Sequence, residues 1–329
     1  MTLDAERRAQ LENARALSLL RQCFDVDPAA VTIGSAPFGI TALGHDRAWI
    51  VSMSDDLAVL GGVLVWLDRH RPAQADLVVD HHAGVHARRA ALLAPELTVW
   101  QTDGDSVAAA AAEPIPDPLP RPDDAAHLEA MFVDEGLDVV CEDGILRGEL
   151  AGLEVGRILH GPDGPVLEAG VGRFDREAGV LLHAGRSPAE ALRDAVAQVR
   201  PHRSRGAVGH AVNRLGRERW LRHEVINDPA VVGVALPSLV EPIPARRNLL
   251  EAVPAALVGI DDGVSVLVVC SVGVDLGLVP AIADLTARHA PTEVRVVMPD
   301  RDRLPYVERL LDRLPVAAGL HAISPPWAD

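Results

Sequence analysis

Short β-branched runs alternate with stretches of helical periodicity at both ends of this 329-residue chain, and that alternation leaves few folds open. In the first lobe the runs VTIGSA, DRAWIVSM, ADLVVD and LTVWQ are separated by SDDLAVLGGVLVWLDRHR and VHARRAALL, whose apolar residues recur at helical spacing. Ser54 or Asp55 is the expected N-cap of the first of these helices, and a further helix over about residues 4–23 precedes the first run. The closing residues repeat the order with VPAALVGI, VSVLVVCS, TEVRVVM and VAAGLHAI around helices expected near 275–289 and 302–313. Strand, helix, strand, helix, strand predicts a parallel sheet with crossover helices.

Residues 106–124, with five consecutive alanines and five prolines, read as a linker. Beyond them AHLEAMFVDEG predicts a helix, and LDVVCED, ILRGELAG, LEVGRILHG and PVLEAGVGRF, punctuated by Gly and Asp-Gly, predict an antiparallel meander. Helices are expected over 187–199 and 207–224, the second with an apolar stripe of Val208, Val212 and Leu215. The expected chain is therefore α/β, with two Rossmann-like βαβαβ lobes at 1–105 and 246–329 flanking an α+β middle region at 125–245. Sliding the sequence on itself by 219 positions gives 8 identities between residues 49–92 and their partners, Ser52 with Ser271 and His70 with His289 among them, which suggests an internal repeat.

Composition narrows the chemistry. All 31 Lys and Arg residues are arginine, so mechanisms that need a lysine ammonium, such as P-loop, Schiff-base and Ser-Lys catalysis, are excluded. The formal charge of -16 opposes general binding to phosphate backbones while leaving room for a local basic patch. Cys23, Cys141 and Cys270 are odd in number and widely spaced, as expected of unpaired thiols in a reducing compartment. No basic-then-apolar leader opens the sequence, and no apolar run approaches the roughly 20 residues of a membrane span, so the expected location is cytoplasmic with no membrane partner.

Ligands of open α/β sheets bind beyond the carboxyl ends of the strands. Asp55 and Asp56 follow one such end, and Asp80, His81 and His82 follow the next. Carboxylate and imidazole together can hold Mn, Zn or Mg, and a bound metal can supply hydroxide for phosphoester hydrolysis. The run LVVDHH at 77–82 resembles the strand-end Asp-His-His of the DHH phosphoesterases, a resemblance that implies a two-manganese hydrolase with Asp80, His81 and His82 at its metals. The Gly-Gly-Gly-His run of that family is missing.

The middle region, a helix followed by strands bearing Asp138, Glu142, Glu154 and Glu168, resembles the restriction-endonuclease-like core. Without its lysine the resemblance implies a degenerate, non-cleaving relative; otherwise the carboxylates mark the solvent face of alternating strands. Residues 200–223 carry seven arginines against Glu218 alone. Arg203, Arg205, Arg214, Arg217 and Arg222, with Trp220 as a stacking surface, form a candidate site for an anion, a protein or a nucleic acid. The alternative is a helix whose arginines pair with acidic neighbours. Two functions follow from these readings. One is a non-catalytic or degenerate nuclease-like interaction or regulatory protein that binds a protein partner, a second copy of itself or a nucleic acid. The other is a divalent-metal-dependent phosphoester hydrolase working at Asp55, Asp56, Asp80, His81 and His82.

Overall fold

The computed structural model of the chain describes residues 5–173, 175–176, 187–243, 249 and 251–327. It is a mixed α/β protein with three sheets interspersed with helices. The chain divides into two compact units: Met1–Ile115 with Leu276–Asp284 and Pro305–Pro315, and Pro116–Asp275 with Leu285–Leu304 and Val316–Asp329. Among the described residues no helix is long and apolar enough to cross a membrane.

The first unit holds α1 (Ala5–Phe24) and a six-stranded sheet of β1 (Thr32–Ala36), β2 (Gly39–Leu43), β3 (Arg47–Ser52), β4 (Gln74–Val79), β5 (Leu97–Asp103) and β6 (Ser106–Ala109), in that order. β3, β4 and β5 are parallel and are joined through α2 (Val59–His70) and α3 (Ala83–Leu93). Strand side chains alternate between faces. Ala42, Val51 and Val78 pack against Ala16, Leu19 and Leu20 of α1. Ile50, Leu77 and Val79, also buried, point to the opposite face, where the crossovers place α2 and α3.

Three local expectations change here. β2 lies in PFGITALG, between the two expected strand runs and in neither of them; Gly39, at φ 146°, lets the strand pass β3 so closely that a side-chain carbon there would lie 2.3 Å from the Val51 carbonyl oxygen. β6 occupies the start of the Ala/Pro segment, where pairing with β5 overrides the poor strand propensity of alanine. α2 begins at Val59, not at Ser54 or Asp55: the Ser54 hydroxyl accepts from the Asp56 N–H at 3.1 Å and the Asp56 carboxylate from the Ala58 N–H at 2.8 Å, turns that compete with the helix.

The second unit contains the meander of β7 (Asp138–Glu142), β8 (Ile145–Leu150), β9 (Leu153–Gly161) and β10 (Gly164–Ala169). Asp143 and Gly144 both have positive φ, the two-residue turn whose twist matches a hairpin. α4 (Ala126–Asp134) and α5 (Pro188–Val199) cover one face through Leu128, Phe132, Leu192 and Val196, packed on Leu146, Val155 and Ile158. Ser187 caps α5 in a reciprocal box with Glu190.

The same unit carries the last sheet, β11 (Ala235–Val240), β12 (Ala255–Asp261), β13 (Val264–Cys270), β14 (Glu293–Met298) and β15 (Ala317–Ala322), with β13 to β15 parallel. Its connections run through α7 (Leu278–His289) and α8 (Pro305–Leu311). Both sheets are antiparallel at the start and then parallel, and the first closes with the antiparallel pair of β5 and β6. The bounds of α2 and α7, and of β4 and β14, are 219 residues apart at each end, a correspondence of position and topology.

Candidate functional site

The helix expected over 207–224 is α6 (Arg217–Asn227), preceded by a short 3-10 turn at Ala211–Arg214. Gly216, at φ 54°, separates the two, and Val208, expected to help form a buried stripe, is 87 % exposed. α6 is buried on two sides. Trp220, Leu221 and Val225 pack on Leu257, Val266, Val268 and Cys270 of the last sheet. Arg219 and Arg222, three positions apart and hence on one face, turn to the meander. Backbone contact sets the distance. A side-chain carbon on Gly152, in the β8–β9 turn, would lie 2.3 Å from the Arg219 carbonyl carbon, so only glycine lets turn and helix meet.

Facing α6, the strands carry the carboxylates that alternation assigned to solvent. That assignment is corrected for Glu142 and Glu154, which are 0 and 2 % exposed; Glu149, between them in the sequence, is 1 % exposed. A bulge between Gly148 and Glu149 shifts the register so that Glu149 and Glu154 stand opposite each other. Arginine neutralises each of them. Arg222 Nη2 donates to Glu149 at 2.7 Å; Arg219 bridges Glu149 at 3.2 Å and Glu142 at 3.1 Å; Arg147 lies 3.3 Å from Glu142 and also donates to Glu154; Arg176 donates to Glu154 at 2.9 Å. Seven alternating charges thus form one interior ladder. Burial works against the Arg219 charge, but Glu149 and Glu142 outweigh it and hold its pKa above the ordinary value. At the rim, Asp138 accepts from His223 Nδ1 at 2.6 Å; burial opposes the imidazolium, and the carboxylate outweighs burial and raises the His223 pKa.

Trp220 and Arg222 are 1 % exposed, so neither offers a face to a base or a phosphate. Arg203 is buried over the Trp220 ring, its guanidinium carbon 4.3 Å from the ring centre; Arg205 pairs with Glu224; Arg217 lies over Trp327; Arg214 is exposed. The arrangement matches the alternative of arginines meeting acidic neighbours, but inside the unit instead of on its surface.

Glu218, in the first turn of α6, is buried, and burial pushes its carboxyl from 4.5 up to about 7. Between those values the folded chain keeps a proton that the unfolded chain releases, so stability falls as pH rises through that window. Glu218→Gln is expected to stabilise the protein by roughly 3 kcal/mol at pH 8, a gain that shrinks toward zero near pH 4.5. Urea unfolding of the two proteins across that range measures it; a pH-independent difference would mean that folding does not shift the Glu218 carboxyl.

At the strand ends of the first unit, Asp80 accepts from Arg15 at 2.8 and 3.2 Å and from the Thr102 hydroxyl at 2.7 Å. His81 and His82 are exposed with ring centres 6.4 Å apart, and His82 occupies the N-cap of α3. Asp55 and Asp56 are exposed, the latter engaged in its turn. Among the described residues no group of three or more His, Cys, Asp and Glu side chains is placed to hold a metal ion. One turn on, His86 is 1 % exposed; burial, then the charges of Arg89 and His82, push it down to about 4, so the ring is neutral at neutral pH. Beside the β3 end a cavity of about 690 Å³ is lined by Gln10, Asn13, Ser35, Phe38, Ser52 and Ser54 among others.

Sequence reasoning passed over Arg147, Glu149 and Arg176 as members of the ladder, and Asn213 and Trp327 beside it. The mark of the ladder in the sequence is the pair of charged residues at alternate positions in ILRGEL, Arg147 and Glu149; the partners Arg219 and Arg222 carry no local signal. No family model, curated protein or solved structure matches the chain.

Proposed function

We propose that this chain is a non-catalytic, degenerate nuclease-like protein whose role is interaction or regulation, with a protein or nucleic acid as its partner. The observation that carries the reading is the pairing of Glu142, Glu149 and Glu154 with arginine inside the meander. A nuclease uses such carboxylates to hold a metal, which needs them deprotonated, water-accessible and free of competing cations. Here guanidinium groups occupy the same oxygens, and displacing them would leave buried charges without partners. At the surface, Arg214 and Val208 lie on the irregular segment before α6 and offer the partner a cationic and an apolar contact.

The test is incubation with Mn²⁺ or Mg²⁺, followed by elemental analysis and by assay of labelled single-stranded DNA, RNA and bis(p-nitrophenyl) phosphate. The expected result is no turnover, with retention of the partner weakened by Arg214→Glu and Val208→Asp. Turnover that disappears in Glu142→Gln or Glu154→Gln would sink the reading. Turnover that survives those changes but is lost in Asp80→Asn, or in His81→Ala with His82→Ala, would establish the hydrolase instead.

A further inference from the structure

We infer that the N-terminus of α6 is a binding site for a small oxyanion, phosphate or carboxylate, gripped by Arg203 and Arg217. Two independent features meet there. The first is the helix end. Gly216 gives α6 no side-chain cap, so the first-turn N–H groups carry the positive end of the helix dipole. The second is a group of dry polar atoms around it. Arg203 is 5 % exposed, and its Nε and Nη1 have no hydrogen-bond partner among the described residues. Its Nη2 donates to the Leu215 carbonyl and would lie 3.9 Å from a side-chain carbon on Gly216, which places the guanidinium beside the helix end. Asn213 is 4 % exposed, and neither its side-chain polar atoms nor Trp327 Nε1 has a hydrogen-bond partner among the described residues.

These groups share one neighbourhood. Arg217, the first residue of α6, donates through Nε to the Asn213 carbonyl at 2.9 Å and lies over Trp327, whose ring centre is 5.7 Å from that of Trp220. Arg203 lies over Trp220. A folded chain rarely leaves a buried donor unsatisfied, because each costs about 1–3 kcal/mol, and several together call for a missing acceptor. Charge points the same way. Among the described buried residues of this unit, Arg147, Arg176, Arg203, Arg219, Arg222 and Arg295 stand against Glu142, Glu149, Glu154 and Glu218, and Arg295 takes Asp261 and Glu293 as its partners. Glu218 turns back on its own N–H and, with a pKa of about 7, is only partly ionised at neutral pH, so it caps the helix weakly.

Because the donors are dry as they stand, the anion enters by displacement of residues 204–210. Nothing lies within 4 Å of a side-chain carbon added at Gly206 or Gly209, and the Gly206 N–H to the Pro326 carbonyl, at 3.0 Å, ties the segment down. The site does not depend on the non-catalytic reading, since a hydrolase could hold phosphate here equally well.

Titration with inorganic phosphate and with acetate, at ionic strength fixed by chloride, tests it through tryptophan fluorescence and thermal unfolding. A saturable response to one or both is expected, with a melting temperature that rises with ligand concentration and no saturation by chloride. A response to phosphate alone identifies a phosphate site, and one to acetate alone a carboxylate site. Arg203→Gln should weaken binding about tenfold to a hundredfold, and Asn213→Asp should abolish it by adding a negative charge, whereas Arg121→Gln, on the surface, should leave it unchanged. Wild-type protein that responds to phosphate and acetate no differently than to chloride overturns the inference. So does equal binding by folded Arg203→Gln. If both variants fail to fold, the wild-type titration alone decides.

Discussion

Arg219→Met is expected to lose about 3–5 kcal/mol of stability, among the largest effects of any single substitution in this chain. The reason is not the loss of a favourable contact. Arg219 is 2 % exposed and lies between Glu142 and Glu149, both essentially without solvent. Removing the guanidinium leaves Glu142 with Arg147 at 3.3 Å and Glu149 with Arg222 at 2.7 Å, so each carboxylate loses one of its two cations in a dry setting. Methionine fills much of the vacated volume, which keeps a cavity from contributing. Adding Glu142→Gln alone to Arg219→Met should therefore recover part of the loss, because Glu149 then keeps Arg222 and Arg147 keeps Glu154, so that no charge of the ladder is left without a counter-charge. Urea unfolding gives the free energies, and hydrogen exchange over residues 138–169 locates the damage. A loss below about 1 kcal/mol would show that water reaches the ladder.

Sequence pattern located the elements better than it located their environments. Over β4 and α2 the alternation and the helical period were strong, and the structure places both there, because buried parallel strands and their crossover helices carry little besides apolar residues. β2 was not legible: it falls between the two expected strand runs, and only the close passage along β3 makes Gly39 a strand residue. In the meander the parity was right. Glu142 and Glu154 do stand on the face opposite Phe132, yet that face is buried, and a single strand's pattern cannot show what packs against it. Arg219 and Arg222, 70 or more residues away, supply the counter-charge, and neither local propensity nor spacing encodes that pairing. For the same reason the sequence puts Asp80 beside two histidines without showing that the fold gives its oxygens to Arg15 and Thr102.

Asp284→Ala is expected to destabilise the first unit by a comparable 3–5 kcal/mol. Asp284 belongs to α7 and is 0 % exposed; Arg89 of α3 donates to it at 2.8 Å, and Arg88 holds both its oxygens at 3.0 and 3.2 Å. Truncation strands two guanidinium groups. Arg88 keeps the carbonyls of Glu113 and Pro114 as partners, at 2.6 and 3.2 Å, but Arg89 at 2 % exposure has no route to water, so most of the cost falls on it. Two comparisons separate charge from shape. Asp284→Asn keeps the volume and an acceptor oxygen while removing the charge, and should lose nearly as much as alanine if charge dominates. Asp284→Leu with Arg89→Leu removes the stranded cation and should be the mildest of the three. The expected signature is loss of hydrogen-exchange protection over residues 74–103 before residues 138–169, because Asp284, Arg88 and Arg89 all belong to the first unit. An asparagine variant as stable as wild type would mean that the three helical side chains are held by hydrogen-bond geometry and not by their charges.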